Sequence, residues 1–200
     1  MTITPVSTNR RAFLALVGIG AGAALGAGRR HLVGLPTPKR LRPPGARSEA
    51  DFLAACIRCG QCVIACPPDA LRLADLEDGI AAGAPLFDSR ENPCNLCAGE
   101  DELHCIAVCP TTALNALDDR ADARIGTAAI DSERCFAWND TVCRACWHAC
   151  PYPNSAITLD WKSRPQIVAD ACTGCGLCDH ACLTEPSSIR IAPFGVGVDA

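Results

Sequence analysis

The chain has 200 residues and a net charge of −4, but its charges are unevenly distributed. Residues 1–50 carry eight Lys/Arg and one Glu, whereas residues 51–200 carry ten Lys/Arg and twenty-one Asp/Glu, a balance of −11. An acidic body repels phosphates, which argues against nucleic acid as a partner and favours a partner with a basic face; acidity that only maintains solubility is the alternative. Aromatic residues are only 4% of the chain, so its apolar core is thin and ligand bonds are needed as a second source of folding free energy.

Residues 1–31 are predicted to be an export signal. Residues 9–14 read N-R-R-A-F-L and resemble the twin-arginine signal, whose core is Ser/Thr-Arg-Arg-x-Phe-Leu. Seventeen uncharged residues rich in Gly and Ala follow at 12–28, which is short for a transmembrane helix of about 20 apolar residues. A chance arginine pair before an uncleaved anchor is the alternative. The signal predicts export of a folded, cofactor-loaded protein to the periplasm, where it associates peripherally with the membrane.

An extended linker is predicted over residues 32–46, which are rich in Pro and basic residues. Beyond it, all sixteen cysteines of the chain fall into four runs of four. The first run is Cys56, Cys59, Cys62 and Cys66, the second is Cys94, Cys97, Cys105 and Cys109, the third is Cys135, Cys143, Cys146 and Cys150, and the fourth is Cys172, Cys175, Cys178 and Cys182.

The spacing within these runs indicates iron–sulfur chemistry. The first run reads C-x2-C-x2-C-x3-C-P, the pattern with which bacterial ferredoxins hold [4Fe–4S] clusters. Four complete runs predict four [4Fe–4S] clusters, with all sixteen cysteines as iron ligands. Structural zinc sites use two separated C-x2-C pairs instead. Disulfides would suit an exported protein, but they do not explain the regular C-x3-C endings, so zinc and disulfides are the weaker alternatives.

Each run belongs to a repeated unit, and the units are predicted at 47–77, 84–116, 126–162 and 163–194. A turn signal and a short apolar stretch follow every fourth cysteine, which predicts a short strand, and further short strands are predicted ahead of the last three runs, at 85–87, 128–130 and 166–168. One helical turn is expected between the third and fourth cysteine of each run. A single unit is too small to bury both its cluster and its apolar side, so the units are expected to pair. The predicted fold is α+β, small and loop-rich, with two ferredoxin-like modules of two clusters each.

The pairing of the runs is predicted from their spacing. In two-cluster ferredoxins the fourth cysteine of one run ligates the cluster of the other. The first and fourth runs share the compact spacing, which suggests that the first pairs with the fourth and the second with the third. The predicted ligand sets are Cys56, Cys59, Cys62 with Cys182; Cys172, Cys175, Cys178 with Cys66; Cys94, Cys97, Cys105 with Cys150; and Cys135, Cys143, Cys146 with Cys109. Pairing in chain order stays open as the alternative.

Several phrases outside the cysteine spacing resemble the NapG/MauM family of ferredoxin-type proteins. These phrases are R-L-R-P-P-G-A at 40–46, A-C-I-R-C-G-Q-C-V-I-A-C-P at 55–67, A-G-A-P-L-F at 82–87, D-A-R-I-G-T-A at 122–128, A-I-T-L at 156–159 and D-A-C-T-G-C-G at 170–176. The sequence continues for eighteen residues after Cys182 without the basic, aromatic tail of nitrate-reductase relatives. Both the nitrate-reductase branch and the methylamine branch therefore stay open.

The resemblance implies an exported electron carrier that is not itself an enzyme, though it can serve as the extrinsic subunit of a quinol dehydrogenase complex. Its implied partners are a membrane-bound polytopic ferredoxin that oxidises quinol and a c-type cytochrome or periplasmic redox enzyme. The residues agree, because nothing outside the cysteines forms an acid–base pair or a nucleophile constellation, and no catalytic residue is predicted. The open alternatives are an iron–sulfur β subunit of an exported molybdopterin oxidoreductase and a maturation factor for a periplasmic redox enzyme.

Overall fold

The computed structural model describes residues 40–194, which belong to one folded unit. The predicted signal at 1–31 and most of the predicted linker lie outside these residues. Among the residues described, the longest helix has seven residues, and no helix combines the length and apolar character needed to cross a bilayer.

Four one-turn helices mark the four cysteine runs. They are α2 (Gln61–Ile64), α3 (His104–Ala107), α4 (Ala145–Ala149) and α5 (Leu177–His180), and each begins one residue before the third cysteine of its run. The predicted helical turn is therefore confirmed in all four units. A longer helix, α1 (Glu49–Ala55), precedes the first run and begins after Ser48, whose Oγ accepts a hydrogen bond from the Asp51 N–H. Short 3₁₀ helices lie at Leu76–Ala81, Arg120–Asp122, Phe136–Trp138 and Ala169–Ala171.

Within residues 40–194, six short strands form three antiparallel pairs. The strands are β1 (Arg72–Leu73), β2 (Pro85–Leu86), β3 (Gly126–Ile130), β4 (Ile157–Leu159), β5 (Pro165–Ile167) and β6 (Ile189–Pro193). β1 pairs with β2, β4 with β5, and β3 with β6. Strands were predicted after all four runs and ahead of the last three, and this is confirmed except after the second run, where a single bridge between Leu114 and Ala46 takes the place of a strand.

The strand pairs join each run to its neighbour in the chain. β1 follows the first run and pairs with β2, which precedes the second run; β4 and β5 join the third run to the fourth in the same way. An outer pairing closes each half. β3 before the third run pairs with β6 after the fourth, and the bridge between Ala46 and Leu114 is the reduced counterpart in the first half.

Residues 40–46 are packed into the fold, so the linker prediction is wrong for this segment. The Arg42 side chain is buried, and its guanidinium contacts the Glu49 carboxylate at 2.6 and 2.9 Å and donates to the Pro85 carbonyl at 2.8 Å. The same guanidinium lies over the Phe52 ring, 5.0 Å from its centroid. Proline and basic residues suggest a solvated chain, but here Arg42 has an acidic partner in α1 that satisfies its charge.

Two buried clusters form the core, and cysteines are part of both. The first contains Phe52, Phe87 and Leu114 together with Cys97, Cys105 and Cys175. The second contains Ile157 and Ile189 together with Cys146, Cys172 and Cys178. Cys175 is notable because it belongs to the fourth run and yet packs in the core that surrounds the first two runs.

Candidate metal centres

The cysteines of the first two runs line two hollows. Site 1 is a hollow lined by Cys56, Cys59 and Cys62 of the first run and by Cys109 of the second. Site 2 is a hollow lined by Cys94, Cys97 and Cys105 of the second run and by Cys66 of the first. Each site thus takes three thiols from one run and the fourth from its neighbour.

The third and fourth runs repeat this exchange. Site 3 is a hollow lined by Cys135, Cys143 and Cys146 of the third run and by Cys182 of the fourth. Site 4 consists of Cys172, Cys175 and Cys178 of the fourth run with Cys150 of the third, because the Cys150 thiol has Cys175 and Cys172 as its electrostatic neighbours and Cys178 has Cys172, Cys175 and Cys150 among its own.

The predicted pairing of runs is therefore wrong, although the exchange of fourth cysteines is as expected. Cys182 was predicted to complete the site of the first run but lies with the third run, and Cys109 was predicted to complete the site of the third run but lies with the first. Cys66 was predicted to complete the site of the fourth run but lies with the second run, and Cys150 was predicted to complete the site of the second run but lies with the fourth. The physical reason is strand pairing. β1 with β2, and β4 with β5, bring runs that follow each other in the chain side by side, whereas similar spacing only reflects similar loop shape.

Left-handed backbone conformations curl the cysteine loops around their sites. In the first run these are Arg58 (φ 59°) and Gly60 (φ 74°), and in the fourth run they are Gly174 (φ 73°) and Gly176 (φ 88°). Successive residues of opposite hand turn their N–H groups into one concavity, a nest that suits anions and iron–sulfur centres. Such conformations are rare for residues other than glycine, so Arg58 marks a loop whose shape is imposed by its surroundings.

Burial raises the pKa of several of these thiols, so that they stay protonated at neutral pH when no cation is bound. Burial, and after it the neighbouring thiolates Cys56 and Cys59, raise the pKa of Cys62 to about 11. Burial raises the pKa of Cys94 to about 12 and that of Cys146 to about 11. A cation that binds thiolates would supply the missing counter-charge, since ligation deprotonates a coordinating thiol.

Cys182 differs from these thiols because hydroxyl groups surround it. Burial by itself raises its pKa, but hydrogen bonds from Ser188 and Thr184, both 3.2 Å from Sγ, outweigh burial and lower the pKa to about 7. Sequence reasoning missed these hydroxyls. The signal available was positional, because Thr184 and Thr111 both stand two residues after the fourth cysteine of a run, and Thr111 also contacts its cysteine, Cys109.

The donor set fits an iron–sulfur cluster better than a single ion. All sixteen cysteines are free thiols, and three of the sites are hollows with four thiols in the wall. Within residues 40–194, no group of three Cys, His, Asp or Glu side chains converges as a single-ion site. That the sixteen cysteines are iron ligands stays a prediction.

Comparison with known proteins gives consistent results. The profile of the 4Fe-4S dicluster domain family matches residues 55–113, a stretch that contains the whole of the first and second runs. The chain is 39% identical to the ferredoxin-type protein NapG of Escherichia coli K12, over 92% of this chain and 80% of the relative. It is 41% identical to the methylamine utilization ferredoxin-type protein MauM of Methylorubrum extorquens AM1, over 80% of this chain and 76% of the relative. NapG of Haemophilus influenzae is 38% identical, over 94% of this chain and 73% of the relative.

These relatives are named ferredoxin-type proteins, and the similarity extends over most of this chain. The protein is an iron–sulfur electron carrier with a small, loop-rich, ferredoxin-like fold. It belongs to the NapG/MauM family of ferredoxin-type proteins.

Proposed function

We propose that the protein is an exported carrier with four [4Fe–4S] clusters in two double-cluster modules, and that it relays electrons from membrane quinol to periplasmic redox proteins. The observation that carries this proposal is the exchange of fourth cysteines, because it completes four thiol quartets and interlocks the runs in pairs. When bound, each cluster would supply a one-electron redox couple.

The polypeptide has three tasks in this role. Its sixteen thiolates hold the iron, its loops direct backbone N–H groups towards the sulfur, as the Leu96 N–H does towards Cys94 Sγ at 3.4 Å, and its burial of the thiols keeps water away. Hydrogen bonding and solvent exclusion are the features by which a protein sets the potential of such a cluster.

The proposed route begins with quinol, which loses two electrons and two protons at a membrane-bound polytopic ferredoxin partner. The electrons pass one at a time to this protein and leave to a c-type cytochrome or a periplasmic redox enzyme. The twin-arginine-like residues 9–14 support export with the clusters already in place, because that pathway carries folded proteins. The acidic balance of residues 51–200 supports docking to a partner with a basic face.

The direct test is a redox titration monitored by EPR on protein purified without oxygen. We expect four [4Fe–4S] clusters per chain by iron and acid-labile sulfide, and their reduction by quinol only when the membrane partner is present. Reduction by quinol without that partner would contradict the proposed relay. Colourless protein that lacks sulfide would contradict the iron–sulfur assignment itself.

A genetic test separates a relay from a maturation factor. Deletion of a relay should abolish quinol-dependent activity of the terminal enzyme but leave its activity with an artificial electron donor intact. Loss of both activities would indicate that the protein is required to build the enzyme, which would contradict the proposal.

A further inference from the structure

The second and fourth cysteine runs meet at a close backbone contact. The Cys94 N–H, in the second run, donates to the Cys175 carbonyl, in the fourth, at 2.9 Å. Beside this bond the Ile125 N–H donates to the Thr173 carbonyl, also at 2.9 Å. Cys175 packs within the core cluster that surrounds site 2. Site 2 and site 4 are therefore neighbours, although the whole third run lies between them in the sequence.

Glycines in the fourth run make this contact possible. A Cβ on Gly174 would lie 2.3 Å from the Gly126 nitrogen, and a Cβ on Gly176 would lie 2.6 Å from the Ser89 Cβ. Gly60 is the equivalent of Gly176 in the first run, because each directly follows the second cysteine of its run, and the two have a similar φ. A Cβ added at Gly60, however, would have Leu73 Cδ1 as its nearest neighbour, at 4.0 Å. The fourth-run loop is thus fitted at Gly176 to the segment ahead of the second run and at Gly174 to the start of β3.

Arg90 also joins the fourth run to the segment ahead of the second run. Its guanidinium donates to the carbonyls of Asp179 at 2.6 Å and Cys182 at 2.8 Å, and its own carbonyl lies 2.8 Å from His180 Nδ1. The adjacent Ser89 hydroxyl donates to the buried Asp179 carboxylate at 2.6 Å. These bonds fix the helix of the fourth run, α5, against the residues that lead into Cys94.

The other neighbour relations follow the exchanged thiols. Cys62 of site 1 is an electrostatic neighbour of Cys105 of site 2, and Cys146 of site 3 is a neighbour of Cys178 of site 4. Helices α2 and α3 contact each other, as do α4 and α5. Site 1 reaches solvent at Cys59, which is exposed, and next to site 3 the neighbours of Cys143 and Cys182 in the chain, Val142 and Leu183, are 85% and 68% exposed.

We propose that the four sites stand in the single file 1–2–4–3, which makes the first and third cysteine runs the two ends of the file. The inference rests on the proposed function, because it concerns the clusters that these thiols hold. The chain order of the runs and the spatial order of the sites therefore differ, and exchange with electron donors and acceptors takes place at sites 1 and 3.

Magnetic coupling between reduced clusters tests this order, because dipolar broadening of an EPR signal falls steeply with distance. One ligand of each site is replaced in the full-length loaded protein, as Cys59→Ser, Cys97→Ser, Cys143→Ser and Cys175→Ser, which assigns a signal to each site. We expect Cys175→Ser, which disrupts site 4, to remove broadening from the signals of both its neighbours, sites 2 and 3. Cys143→Ser, which disrupts site 3, should remove broadening from the signal of site 4 alone, and Cys59→Ser, which disrupts site 1, should remove it from the signal of site 2 alone. If Cys143→Ser relieves site 2 and Cys175→Ser does not, the order is 1–2–3–4 and the proposal is wrong.

A second measurement leaves all sixteen thiols in place, in case a ligand variant fails to fold. Gly176→Ala should weaken the coupling between sites 2 and 4 and leave the 1–2 coupling unchanged, whereas Gly79→Ala, at a glycine that also has a positive φ but lies in open space outside the cysteine loops, should leave all three couplings unchanged. Loss of the 1–2 coupling in Gly176→Ala, or equal effects of the two variants, would overturn the order. Iron and sulfide are measured on every sample. If the protein contains its full complement of iron and the couplings differ from those expected, the proposed order of the sites is wrong and the proposed function stands. If the protein contains no iron or sulfide, both the proposed function and the proposed order are wrong.

Discussion

At the scale of the residue, the surroundings of each cysteine differ more than the repeated spacing suggests. Cys182 accepts hydrogen bonds from two hydroxyls, one of which belongs to the fully buried Ser188. Burial raises the pKa of every other thiol whose pKa is shifted, whereas the pKa of Cys182 falls to about 7. Hydrogen bonds to sulfur stabilise the additional negative charge of a reduced cluster, so site 3 is expected to have a higher potential than it would without these groups.

The variant Ser188→Ala tests this effect. Removal of the hydroxyl should raise the pKa of Cys182 towards its ordinary value and lower the reduction potential of site 3, because the thiolate loses a donor. An EPR-monitored redox titration of the loaded protein measures the potential. Ser132→Ala, in the exposed loop before the third run, is the control and should leave every potential unchanged. A higher potential in Ser188→Ala would show that the hydroxyl does not act on the sulfur in this way.

At the scale of the element, local structure was predictable and partner choice was not. Each one-turn helix follows from the C-x3-C ending, and short strands follow from the turn and apolar signals around the runs. The partner of each fourth cysteine depends instead on which strands pair, and β1 and β2 have only two residues each. Strands this short carry no sequence pattern that specifies a partner. The buried position of residues 41–44 was likewise hidden, because the sequence does not reveal that Arg42 meets Glu49.

Replacement of Arg42 tests the structural role of this segment. Arg42→Ala leaves the Glu49 carboxylate and the Pro85 carbonyl without their donor and removes the guanidinium from the Phe52 ring. Because Glu49 is partly exposed, we expect a loss of about 2 kcal/mol in the free energy of unfolding rather than the larger cost of a fully buried pair. Urea unfolding of the loaded protein without oxygen, followed by circular dichroism, measures it.

The matched control is Arg47→Ala. The Arg47 guanidinium makes an exposed contact with the Asn115 amide oxygen at 3.1 Å, and surface changes of this kind stay within about 0.5 kcal/mol. Equal stabilities of the Arg42 and Arg47 variants would mean that the segment does not contribute to the fold.

At the scale of the whole molecule, the apolar core and the metal sites are the same region. Cys97, Cys105 and Cys175 belong to one buried cluster and Cys146, Cys172 and Cys178 to the other. The aromatic content of 4% adds little to either. Iron bound by these cysteines would therefore contribute folding free energy as well as redox chemistry, because ligand bonds would join segments that burial alone holds weakly.

Removal of iron should therefore destabilise the fold, and the size of the loss should depend on pH. In the metal-free chain, burial raises the pKa of Cys62 and Cys146 from 9.0 to about 11, so these thiols favour folding below pH 9 and lose that contribution as the pH rises through 11. Iron ligation requires the thiolate and favours the opposite direction. The difference in urea midpoint between loaded and metal-free protein should widen from pH 7 to pH 10. A metal-free chain as stable as the loaded one at pH 10 would contradict this account.

The exchange of fourth cysteines also dictates when each site is completed during synthesis. When the first run emerges from the ribosome, site 1 has three thiols and still lacks Cys109. Cys66, which belongs to site 2, then has no other thiol of that site available. A nascent chain that ends after the first run holds no complete site, and one that ends after the second run holds two. The third run alone adds none, and the fourth run completes the last two together. The four thiols of a site can thus come together in two stages, for sites 1 and 2 once the second run has been made and for sites 3 and 4 once the fourth has been made, and a polypeptide truncated between paired runs is left with incomplete quartets.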